Sequence, residues 1–127
     1  MASTLIAVLL GIAGIIHLLP LSGVLGAERL AALYGLAFDD PNLLILMRSR
    51  AVLFGLLGTL LLYAAFRPAV QPIALFGCLA SVLSFLFVAW SSPGYNEAVR
   101  RVVIADWVAL ACLLLALVLY AIDQARR

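Results

Sequence analysis

Four ionisable side chains interrupt long apolar runs in this 127-residue chain: His17, Arg48, Arg50 and Asp106. Charge at hydrocarbon depth is costly, so each is a candidate functional position by default. An arginine there can hold a carboxylate or phosphate, and a carboxylate can pair with it. A histidine can donate, accept or relay a proton near neutral pH. Asp106 is the only acid within the apolar runs, which makes it the natural partner of an arginine on a facing helix.

Other chemistry is thin. Cys78 and Cys112 lie in separate runs without CxxC spacing and read as small buried hydrophobes. One His and no Cys cluster give no zinc site, and Met47 beside His17 is too little for copper, so neither metal nor cofactor is expected. All eight basic residues are Arg, which removes Schiff-base and phosphate-loop lysine chemistry. Ser84, His17 and Asp106 supply the residue types of a catalytic triad but no motif around them. Serines such as Ser81 and Ser84, within an apolar helix, more often bond to their own backbone.

The elements that must position these groups follow from composition. Hydrophobic residues make up 67% of the chain and charged ones 11%, and mean hydropathy is +1.23. So few charges cannot keep a compact body in water, which disfavours a soluble enzyme and a disordered chain. A net charge of +2 is too small for a nucleic-acid partner. Apolar runs near Thr4–Leu19, Leu43–Phe66, Ile73–Trp90 and Val102–Ile122 are each long enough, or nearly so, to cross a bilayer. Asp40-Pro41, Pro72 and Asn96-Glu97 punctuate helix starts. The first run has no basic leader and ends at Pro20 without a small-residue cleavage site, so it is expected to be retained. In the one long connection, Glu28–Tyr34 predicts a short interfacial helix bracketed by Gly26 and Gly35, with a packed loop as the alternative. No internal repeat or linker divides the chain. The expected fold is all-α: one domain, residues 1–127, an integral membrane four-helix bundle.

Topology then brings the ionisable groups together. Alternating helix direction puts His17, Arg48, Arg50 and Asp106 towards one membrane face at similar depth. Small residues mark close helix contacts. His17 shares a face with Gly11 and Gly14, Arg48 with Ala51, Gly55 and Gly58, and Asp106 with Ala109 and Ala116. A cluster of His17, Arg48 and Asp106 is therefore expected, with Arg48 bonded to Asp106. It is either a register-fixing structural pair or a ligand site. Arg50 lies about 200° around the helix from Arg48, so it is expected to snorkel to headgroups or to face a neighbouring protomer. Trp90, Tyr95 and Trp107 read as an aromatic belt, and Arg100-Arg101 as interfacial anchors.

The stretches His17-Leu-Leu-Pro20, Leu33-Tyr34-Gly35, Asp40-Pro41-Asn42, Leu46 to Gly55 and Arg100 to Asp106 resemble a group of small bacterial four-span inner-membrane proteins. Their layout is similar to the broad DoxX-like class, and the resemblance covers most of the chain. It implies a four-helix membrane fold but specifies no chemistry. Relatives of this group carry a phosphopantetheine adenylyltransferase label. One His cannot supply that enzyme's HxGH, and no strand–helix alternation is present, so the activity is rejected here. The embedded first-helix Glu of small multidrug transporters has no counterpart. The arginine-rich second helix of glutathione-using membrane enzymes is matched only loosely, by Arg48 and Arg50.

The leading expectation is a non-enzymatic bundle in the inner membrane that binds an anionic lipid or amphiphile, or serves as an accessory subunit. Membrane lipids are its expected partners, with a homo-oligomer or larger membrane complex open. The alternatives are a proton-coupled small-molecule transporter using Asp106 and His17, and a membrane enzyme acting on a lipidic substrate. Arg67, Arg126 and Arg127 mark one membrane side and Arg29, Arg100 and Arg101 the other once Arg48 and Arg50 are set aside. The expected orientation has both termini cytoplasmic.

Overall fold

In the computed structural model, which describes residues 2–127, every regular element is helical. Helix α1 spans Ala2–Leu18 and runs into a 3-10 segment, Leu19–Leu25. Helices α2 (Ala27–Tyr34), α3 (Pro41–Phe66), α4 (Gln71–Ser91) and α5 (Glu97–Ala125) follow. A 3-10 turn, Pro68–Val70, joins α3 to α4. Four stretches are long and apolar enough to cross a membrane: Ala2–Leu25, Pro41–Phe66, Pro68–Ser91 and Glu97–Ala125. The chain is a multi-pass membrane protein of the expected all-α class.

The helix starts are fixed by the punctuation in the sequence. Asp40 accepts a hydrogen bond from the Asn42 amide at 2.9 Å, and Pro41 takes a first-turn position that needs no amide donor. Asn96 accepts from the Val99 amide at 2.8 Å and opens α5. Its side-chain amide also donates to the Tyr34 carbonyl at 2.8 Å, which ties the end of α2 to the start of α5. That second role was not read from the sequence.

Four long helices pack in a closed ring, α1 on α3, α3 on α4, α4 on α5 and α5 back on α1. Leu10, Leu61, Leu75, Val82 and Leu113 fill its axis. Helices α1 and α3 cross at Gly14 and Gly58. A Cβ on Gly58 would stand 2.8 Å from the Gly14 carbonyl oxygen, so the backbones touch where both residues lack a side chain. Gly11, expected on the same packing face, meets nothing within 4 Å. The outward faces carry exposed apolar residues, among them Leu56, Phe76, Trp107 and Val118. Such a surface suits lipid rather than water.

Helix α2 spans the expected residues. Gly35 ends it in the left-handed conformation (φ 68°), where its amide donates to the Ala31 carbonyl at 2.8 Å. Glu28 and Arg29 are exposed, while Leu30 and Tyr34 are buried with Phe38. The apolar side of α2 therefore rests on the bundle end, against Leu44, Met47, Val99 and Val102, and not on lipid.

Candidate functional site

His17 sits one residue before the end of α1 and is only 2% exposed. Its Nδ1 lies 2.8 Å from the Ala13 carbonyl oxygen, one turn back on the same helix. A carbonyl can only accept, so Nδ1 carries the proton and donates. Nε2 is left as a lone-pair acceptor in the neutral ring. Among the described residues it is the one side-chain nitrogen or oxygen wholly cut off from the surface that has no hydrogen-bond partner. The imidazole packs 6.1 Å from the Phe54 ring of α3.

Asp106, about 13 Å along α5 from Glu97, is 7% exposed. It forms neither a hydrogen bond nor an ion pair among the described residues, whose ion pairs are Arg100–Glu97 and Arg127–Asp123. Asp106 borders a groove of about 280 Å³ between α1, α2 and α5, walled by Ile16, Leu33, Tyr34 and Val102, with Arg101 alongside.

The expected Arg48–Asp106 bond is not formed. Arg48 is exposed, and its Nε donates to the Val24 carbonyl at 2.9 Å. The cause lies in the long first connection. Its 3-10 segment folds back along α3, so that a Cβ on Gly23 would meet Ala51 and one on Gly55 would meet Leu21. The upper part of the Ala51–Gly55–Gly58 stripe thus faces this segment rather than α5. The carbonyl of Val24, near the segment's end, lacks an intrahelical donor, and Arg48 supplies one. Arg48 fastens the connection and leaves the polar cluster.

Arg50 takes its place. The guanidinium carbon lies 4.5 Å from the Phe54 ring centroid and 5.1 Å from that of Phe85 on α4. It is held by two aromatic rings within its own chain. Arg50 opens into an apolar groove of about 330 Å³ lined by Leu53, Leu56, Leu57 and Leu60, with Ser81 as its other polar member. His17 and Arg50, from two helices, therefore meet at Phe54 at the bundle end that carries α2, while Asp106 of α5 borders a different groove at the same end.

The remaining candidates separate from this cluster. Ser84 is exposed and donates to the Ser81 carbonyl at 2.9 Å, so no triad with His17 and Asp106 is assembled. Met47 packs against the Leu30–Tyr34–Phe38 group. Cys78 is buried with Sγ 4.0 Å from the Leu57 carbonyl, Cys112 is half-buried, and both are free. Trp90, Tyr95 and Trp107 are exposed, as an aromatic belt requires. Gln71, 5% exposed, donates to the Ala64 carbonyl at 3.1 Å and closes the α3–α4 corner. The sequence reading passed over it. Its position just before Pro72, between two spans, was the available signal.

Comparison with protein-family models, with curated proteins and with solved structures returns no match.

Proposed function

We propose that the chain is a membrane-embedded binding protein for an anionic amphiphile, with Arg50 as the headgroup contact. One observation carries this reading. Arg50, without an ion-pair partner among the described residues, lines an apolar groove, stacked on Phe54 and Phe85 and followed by four leucines of α3. A phosphate or carboxylate can take two parallel hydrogen bonds from the guanidinium while an acyl chain lies against the leucines. Ser81 offers a further hydroxyl. The reading keeps the chain among the DoxX-like inner-membrane proteins that it resembles, with both termini cytoplasmic, and leaves room for a role as an accessory subunit.

Proton-coupled transport has less support. Beyond the polar groups Leu10, Leu61, Leu75 and Leu113, each at most 1% exposed, fill the space between the helices. A lipid-directed enzyme would need a nucleophile or general base at the Arg50 groove, and Ser81 has no base described beside it.

The test is retention of an anionic lipid by purified protein, read by native mass spectrometry after exchange from phosphatidylglycerol-containing micelles. A charge-assisted contact contributes about 1.5–3 kcal/mol, so Arg50→Gln should weaken retention by about tenfold or more. Arg48→Gln should leave it unchanged. Equal retention by wild type and Arg50→Gln would remove the proposal.

A further inference from the structure

The groove beside Asp106 lies between α1, α2 and α5, whereas the Arg50 groove lies against α3 and α4. It is therefore a separate compartment with the opposite charge at its base. Asp106 is more than nine-tenths buried, accepts no side-chain hydrogen bond among the described residues and borders this space. A buried carboxylate left without a counter-charge is strongly unfavourable, so the group is either neutralised by a proton or met by a cation from outside the chain. Among the described residues no ion pair includes Asp106.

The surroundings narrow what could supply the missing charge. An anion would be repelled by Asp106, and a neutral apolar ligand would leave the carboxylate bare. A bound metal ion would need further donors, and no group of three His, Cys, Asp or Glu side chains is present among the described residues. An organic ammonium meets both halves of the groove. Its charge neutralises Asp106, and its carbon body lies against Ile16, Leu33 and Val102. The Tyr34 ring adds an aromatic wall, which also favours a cation. At about 280 Å³ the space sits at the small end of ligand pockets, the size of a headgroup rather than a whole lipid.

We propose that the α1–α2–α5 groove binds an organic ammonium group borne on an apolar body, with Asp106 as its counter-ion. Two sources share this chemistry: a simple alkylammonium and a zwitterionic lipid headgroup. Arg101 separates them. It borders the same groove five residues nearer the helix start, about 7.5 Å along the axis. There it can meet the phosphate of a zwitterion, whereas it repels a bare ammonium.

The experiment is calorimetric titration of the full chain in maltoside micelles with dodecyltrimethylammonium and with dodecylphosphocholine. Saturable binding of at least one ligand is expected, and Asp106→Asn should weaken it by about tenfold or more. A thermal melt in the same micelles matching that of wild type would show that the Asp106→Asn protein is folded. If Arg101→Gln weakens the phosphocholine, the site takes a headgroup; if it leaves the phosphocholine unweakened and strengthens the trimethylammonium, the site takes a simple ammonium. Arg50→Gln should leave ammonium binding in place, so failure of the anion proposal and failure of this one are distinguishable. Absence of saturable binding by either ligand would overturn the proposal. So would an Asp106→Asn protein whose affinity stays within about twofold of wild type.

Discussion

At the scale of single residues, His17 is the side chain whose surroundings are least satisfied. One ring nitrogen bonds to its own helix, while Nε2 is buried without a partner. Leaving such a group unbonded costs about 1–3 kcal/mol, and leucine has a similar volume without the polar atom. His17→Leu should therefore leave the melting temperature in detergent unchanged or raise it, with anion retention at Arg50 preserved. A fall of several degrees would mean that Nε2 has a partner in the membrane-embedded protein. His17 and Asp106 were legible as buried groups because each lies on the small-residue face of its helix. Arg48 has the same phase on α3 and was misread for a physical reason. Periodicity identifies the face that is covered, not the segment that covers it. Here the cover is the folded-back Leu19–Leu25 segment, whose 3-10 course has no periodic signature strong enough to place it. Arg50 was assigned outward because it departs from the α3 stripe, and its aromatic seat depends on Phe85, a residue of another helix.

At the scale of elements, the four spans and α2 were legible because length, hydropathy and capping residues all agree at their ends. Which helices touch was less so. Sequence marks small-residue faces on several helices, but the α1–α3 crossing depends on Gly14 and Gly58 meeting at one height. A methyl group at Gly58 would stand 2.8 Å from the Gly14 oxygen and 2.8 Å from Leu18 Cγ. The backbone atom cannot rotate away, so the helices must separate. Gly58→Ala should cost about 1–3 kcal/mol, in the range of overpacked cores. Gly11→Ala is the control, since nothing lies within 4 Å of its added Cβ. Removing a mid-helix glycine there should add about 0.5–1 kcal/mol. Thermal melts of both variants in one detergent check the pair of signs. Equal melting temperatures would mean that the crossing is loose enough to absorb the methyl group.

For the whole molecule, the ring of four spans makes two ends of different character. The end carrying α2 holds the polar cluster and both grooves, and the short Arg67–Val70 corner and both termini share the other. The lateral surface between them is apolar on all four long helices, so the bilayer completes the fold by covering what the core does not. An even number of crossings fixes a relation that can be measured without knowing the absolute orientation. Cysteines introduced at Arg67 and at Arg127 should react from the same face of sealed vesicles with a membrane-impermeant maleimide. One introduced at Tyr95, in the α4–α5 connection, should react from the opposite face. Cys78 is buried and Cys112 half-buried within spans, so the native thiols should stay silent in the intact protein and need not be removed. Residues 67 and 127 reacting from opposite faces would require an odd number of crossings between them. One of α4 or α5 would then lie along the membrane surface. The closed ring, and with it the placing of Arg50 against Phe85 and of Asp106 beside the α1–α2 groove, could not exist in that arrangement. The labelling pattern therefore tests the frame on which both binding proposals stand.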